Sequence, residues 1–169
     1  NYNVKQIQQA EYAWENYGLN TIKILPGNIA YIDYRRFIGE EDSKNTIASA
    51  MQFISHTNAI ILDLRGSRGG DPKTVQLLAS YLFANKPVHL NNLYTRSTNT
   101  TQQYWTLKKI DGKRMPNMPV YILTSSMTFS AAEEFTYDLQ SLKRAVVVGE
   151  STAGGAHAAA VFPLNNLFV

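Results

Sequence analysis

The 169-residue chain contains no cysteine, which removes disulfides, thiolate nucleophiles and Cys-ligated zinc and leaves the redox compartment open. Its three histidines, His56, His89 and His157, stand at no metal-binding spacing, so neither a metal nor a cofactor is expected. No apolar run approaches the roughly 20 residues that would cross a bilayer. The first nine residues, Asn1 to Gln9, show neither the basic nor the apolar part of a secretory signal. No membrane span is expected. Walker A and GxGxxG patterns are absent, which argues against nucleotide binding. A net charge of only +3, spread without a basic block, argues against a nucleic-acid partner. What remains is a globular composition, 44% hydrophobic and 17% charged, in a chain long enough to bury roughly 70% of its unfolded surface.

Hydrophobic periodicity predicts alternating helices and strands. Ile7, Ala10 and Trp14 mark a helix over 5–15, closed by Asn16-Tyr17-Gly18. Residues 22–25 and 29–37 read as two strands around the turn Pro26-Gly27-Asn28. Ile47, Ala50, Met51 and Ile54 fall at i, i+3, i+4, i+7 and predict a helix over 41–55. The apolar run 59–64 suits a strand buried on both faces. It passes into Gly66-Ser67-Arg68-Gly69-Gly70, and Asp71-Pro72 then caps a helix with the stripe Val75, Leu78, Ala79, Leu82. Residues 88–94 and 104–107 read as strands joined by a polar loop over 97–101, which carries the sequon Asn99-Thr100-Thr101. A strand over 120–123, a helix over 130–143 and a strand over 145–148 complete the pattern. This is an α/β fold with a mainly parallel sheet. With no repeat and no linker, residues 1–169 form one domain. Because the chain stops inside a hydrophobic stretch, we expect it to be a fragment of something longer.

Open α/β sheets bind ligands beyond the carboxyl ends of their strands, and two strand ends here are chemically unusual. The loop 66–70 could turn its N–H groups toward an anion; equally, its glycines could serve only a tight turn. The second is the run from Thr124 to Glu133. Ser130 with Glu133 three residues later reads as a capping box. Alternatively Ser130 is a nucleophile at a helix N-terminus, where the dipole favours a developing alkoxide and the Ala131 amide faces an oxyanion. A serine nucleophile needs a base, and no histidine or lysine stands at a diagnostic offset. His157 lies in a glycine-rich loop that could reach Ser130, although a loop histidine with one backbone hydrogen bond fits as well. Asp63 and Arg65 could pair and stiffen the loop after them. His56 and His89 look structural.

Three separated motifs occur in order: Ile60-Ile61-Leu62-Asp63-Leu64-Arg65-x-x-x-Gly69-Gly70, then Thr124-Ser125-x-x-Thr128-Phe129-Ser130-Ala131-Ala132-Glu133, then Gly149-Glu150-x-Thr152-x-Gly154-Gly155-Ala156-His157. Together they resemble the tail-specific, or C-terminal processing, serine proteases, and more closely the branch with tricorn protease and the repeats of interphotoreceptor retinoid-binding protein. The resemblance implies the ClpP/crotonase-like β/α spiral core, Ser130 as nucleophile, and an oxyanion hole from the amide of Ala131 and that of Gly69 or Gly70. It also implies a peptide or protein substrate, unfolded or C-terminal in character, and an exported protein. Two departures stand out. The lysine base that processing proteases carry 25 residues after the serine is replaced by Gly155. The histidine and glutamate of the tricorn-like branch would lie upstream of Asn1 and downstream of Val169. The expected function is a serine peptidase acting through an acyl-enzyme on Ser130. The alternative is a non-catalytic module binding hydrophobic ligands such as retinoids or fatty acids on the same scaffold. Nothing in the sequence speaks to oligomeric state.

Overall fold

The computed structural model describes residues 4–155, 158, 163–164 and 167–168. Helix α1 (Val4–Trp14) leads through a 3-10 turn, Asn16–Gly18, into strand β1 (Leu19–Leu25), which turns back antiparallel into β2 (Ile29–Tyr34). Helix α2 (Glu40–Phe53), strand β3 (Ala59–Asp63) and helix α3 (Pro72–Ser80) follow. A separate two-stranded ribbon, β4 (His89–Thr95) and β5 (Thr100–Trp105), precedes β6 (Val120–Thr124), helix α4 (Ala131–Ser141) and β7 (Val146–Gly149). Two short strands, β8 (Pro163–Leu164) and β9 (Leu167–Phe168), pair with each other.

The main sheet has the order β1-β2-β3-β6-β7, and every neighbouring pair except β1 and β2 is parallel. Alternation along the strands explains the layering. Ile60 and Leu62 pair with Val120 and Ile122 and are buried, together with Met51 of α2 and Ile54 at its C-terminal cap, Val75 and Leu78 of α3, and Phe135 and Leu139 of α4. Each such side chain contributes about 1.5–3 kcal/mol through burial. The alternate row, Tyr121, Val146 and Val148, lies on the other face and is exposed. Asp71 caps α3 as its sequence predicts, its carboxylate accepting from the Lys73 N–H at 2.8 Å, with Pro72 in the first turn.

Some boundaries differ from the sequence reading. β1 begins at Leu19 rather than residue 22. β2 ends at Tyr34 rather than residue 37, because Phe37 leaves the sheet to form a parallel bridge with Gly70. β5 spans Thr100–Trp105 rather than 104–107, so Thr100 and Thr101 of the sequon belong to a strand and Asn99 turns the ribbon with φ 51°. Helix α1 forms as its spacing predicts but buries no residue, and Trp14 is 92% exposed.

Candidate active site

Since β2, β3, β6 and β7 run parallel, their carboxyl ends lie on one side of the sheet, and the loops that follow them meet there. Side-chain hydroxyls stitch these loops together. Thr128 Oγ1 donates to the Leu64 carbonyl at 2.8 Å and accepts from the Ser125 N–H at 3.0 Å. Ser125 Oγ donates to the Arg65 carbonyl at 2.6 Å, and the Phe129 N–H donates to the Ser67 carbonyl at 3.0 Å. The Ala153 N–H reaches the Thr128 carbonyl at 3.0 Å, so the loop after β7 joins the same assembly. The density of serine and threonine around residues 124–130 follows from these bonds.

Ser130 stands at the N-terminus of α4 with φ 55° and ψ −124°. An ordinary N-cap residue has β-region dihedrals with negative φ, whereas a non-glycine residue in this region costs about 1–3 kcal/mol. Strained serines of this kind mark strand-to-helix turns that push the hydroxyl outward. The glycine loop packs directly on the turn. A Cβ on Gly69 would come within 2.6 Å of the Phe129 carbonyl oxygen, and within 2.7 Å of both the Ala131 nitrogen and Ser130 Cβ. Among the described residues, no hydrogen bond uses the N–H of Gly69, Gly70 or Ala131. The structure therefore brings Ser130, Ala131, Gly69 and Gly70 together. Ser130, Ala131 and Gly70 line an open cleft of about 910 Å³, whose other walls come from the ribbon, α4 and the segment Gly149–Thr152.

Asp63 and Arg65 pair as expected: Arg65 donates from Nε to Oδ1 at 2.9 Å and from its terminal nitrogen to Oδ2 at 2.6 Å, and its backbone N–H adds a third bond at 3.0 Å. Tyr31, which the sequence reading passed over, donates its hydroxyl to Asp63 Oδ2 at 2.6 Å. Burial pushes the Asp63 carboxyl up, but the hydrogen bonds from Arg65 and Tyr31 outweigh it and hold the group down at about 2. This ion pair sits at the root of the glycine loop. His157 lies outside the described residues. His56 offers its carbonyl to Asn28, and His89 bonds Asn92 and packs its ring 4.8 Å from Trp105. Among the described residues no histidine or lysine lines the cleft.

Three features escaped the sequence reading. Glu133, which accepts the Ser130 N–H as its capping-box spacing predicts, also accepts from the N–H groups of Gly154 and Gly155. Asn91, on the ribbon, donates to both Glu134 and Asp138 of α4 at 2.8 Å. Burial raises the carboxyls of Glu134 and Asp138, the latter to about 6, with Glu134 adding like-charge repulsion on Asp138. The ring of Phe129 lies where a Cβ on Gly155 would point, so the backbone position of the missing lysine has no room for a side chain while that ring is in place. None of these contacts has a sequence signal except the Ser130–Glu133 spacing.

Comparison with known proteins places the chain in a family. The sequence profile of peptidase family S41 matches residues 28–169. The chain belongs to peptidase family S41. It is 25% identical over 146 residues to the nisin-resistance protein of Lactococcus lactis subsp. lactis, covering 77% of this chain and 44% of that protein. The photosystem II D1 C-terminal processing protease superposes with a TM-score of 0.64 at 20% identity, covering 85% of this chain and 36% of that one. A lipoprotein from Streptococcus agalactiae does so with a TM-score of 0.64 at 22% identity, covering 86% and 54%. The chain thus spans about half or less of the length of these relatives. The shared architecture is the ClpP/crotonase-like fold of S41 peptidases. Among the described residues no helix is long and apolar enough to cross a membrane.

Proposed function

We propose that this chain carries the nucleophile half of a serine peptidase site. The observation that carries the reading is the Ser130 backbone, held at φ 55° and ψ −124° on a strand-to-helix turn against a glycine loop. Strain of that size persists only where the surroundings over-determine it, and such residues cluster at active sites. In this reading Ser130 Oγ bonds to a peptide carbonyl carbon while a base from outside the described residues takes its proton. The N–H groups of Ala131 and of Gly69 or Gly70 hold the oxyanion; each such donor is worth about 10² to 10³ in rate. The C–N bond then breaks as the base returns the proton to the leaving amine, and water hydrolyses the resulting ester. Asp63, Arg65 and Tyr31 support the glycine loop from below. His157 is a candidate for the base beside any residue supplied by chain beyond these 169 residues. The substrate is an unfolded or C-terminal peptide segment admitted by the open cleft. The protein acts outside the cytoplasm, as the nisin-resistance and lipoprotein relatives suggest.

Intact-mass measurement of a fluorophosphonate adduct tests this on the complete natural protein beside its Ser130→Ala variant. A single adduct on the parent and none on the variant is expected. A folded parent that takes no adduct overturns the nucleophile assignment and returns the scaffold to hydrophobic-ligand binding.

A further inference from the structure

A capping box needs one bond from the glutamate at its third helical position, and Glu133 supplies it by accepting the Ser130 N–H on Oε2 at 2.7 Å. The same carboxylate does more than a cap requires. Oε2 also accepts the Gly155 N–H at 2.8 Å, and Oε1 accepts the Gly154 N–H at 2.7 Å. The Thr152 side chain lies near this carboxylate and favours its charged form. Two successive N–H groups from the loop after β7 thus converge on one side chain of α4, more than 20 residues earlier. The glycines permit it. Gly154 has φ 89° with open space where its Cβ would be, so its backbone rather than crowding calls for glycine, while Gly155 lies against the Phe129 ring. Burial raises the Glu133 carboxyl, but its hydrogen bonds from Thr152, Gly154, Ser130 and Gly155 outweigh it and hold it below the usual carboxylate range. The clamp is therefore ionised at neutral pH.

We propose that Glu133 is a positioning residue: it locks the 152–155 loop, one wall of the cleft, onto the strained Ser130 turn, and so sets the orientation of the nucleophile against that wall. The proposal rests on the serine peptidase reading for its kinetic consequence and on geometry alone for the clamp. Residue 130 is held from two sides. Its carbonyl accepts the Glu133 and Glu134 N–H groups at 2.7 and 3.0 Å, and its N–H is held by the Glu133 carboxylate. Releasing the second hold lets the turn relax toward the negative φ of an ordinary cap. Thr152 and Gly155, which line the cleft, would be freed in the same step.

The test uses the complete natural protein, Glu133→Gln and Thr152→Val, with fluorophosphonate labelling rates and amide hydrogen exchange read together. The Gln side chain has one acceptor oxygen instead of two, so at least one of the three N–H groups loses its partner. Glu133→Gln should label at Ser130 about 10- to 100-fold more slowly. The Gly154 and Gly155 amides should exchange at least about tenfold faster than in the parent. Thr152→Val, which removes only a side-chain partner, should slow labelling about threefold. A folded Glu133→Gln that labels at the parent rate overturns the positioning role. If Glu133→Gln does not fold, Thr152→Val labelling at the parent rate does so. Gly154 and Gly155 amides that exchange freely in the parent overturn the clamp whatever the variants do. A parent that takes no label sinks the peptidase reading instead, and the exchange data alone then judge the clamp.

Discussion

A methyl group on Gly69 would collide with the Phe129 carbonyl, the Ala131 nitrogen and Ser130 Cβ together, and φ 79° is already a left-handed backbone. Gly69→Ala should therefore cost about 1–3 kcal/mol of stability. It should also lower Ser130 labelling at least about 100-fold by displacing the oxyanion donors. A melting curve beside the labelling rate checks both, and a variant labelling within threefold of the parent would show that the loop does not hold the oxyanion. At this scale the sequence is partly legible. The position of Ser130 after a buried strand and before a helix can be read, and so can the Asp63–Arg65 pair. The sign of φ at Ser130 cannot, because Ser-x-x-Glu writes the same letters for a relaxed cap and for a strained turn. Tyr31 was hidden for another reason: it meets Asp63 across two strands, and strand order is not written in local pattern.

The elements themselves were the most readable part. Helices α2, α3 and α4 and strands β3 and β6 follow the 3.6-residue and apolar-run signals of their buried faces, and β7 follows its apolar run although none of its residues is fully buried. The second strand of the ribbon did not, since Thr100–Trp105 exposes all but one residue and so has no alternation to detect. The ribbon's anchor on α4 is Asn91, whose amide bridges Glu134 and Asp138. Asp138 is only 2% exposed, and its folded carboxyl is raised from 3.8 to about 6, by burial first and by Glu134 second. The native state thus holds this proton more tightly than the unfolded chain does. The stability contributed by Asp138 falls as pH rises from about 4 to about 6 and is flat above, the opposite of a salt-bridged carboxylate. Asp138→Asn removes the charge and keeps an acceptor for Asn91. It should raise stability at pH 7.5 by about 1–2 kcal/mol, allowing for partial screening, and leave it nearly unchanged at pH 4. Denaturant midpoints at the two values decide it; an equal effect at both would mean that the carboxylate is not the source.

Across the whole molecule the net charge is +3, yet the charged residues lining the cleft among those described are Glu133, Glu134, Asp138 and Glu150, with no lysine or arginine. Total charge was legible and its distribution was not, because the acidic groups gather from α4 and the loop after β7. A concave acidic surface raises the local concentration of cations. Peptides bearing Lys or Arg should show KM values about tenfold below those of Glu-bearing counterparts in dilute buffer, narrowing to about twofold near 0.5 M salt. Hydrolysis assays of the complete protein across that salt range test it, and a charge-blind KM would refute it. The order of the main sheet has one more consequence. The glycine loop and the Ser130 turn meet through the pairing of β3 with β6, whose partners Ile60 and Val120 are far apart in sequence. Closing so long a loop is slow and comes late in folding. A growing chain that has released β3 but not β6 has no such cleft, so the proposed nucleophile and its glycine loop are not brought together on the nascent polypeptide until the sheet is complete.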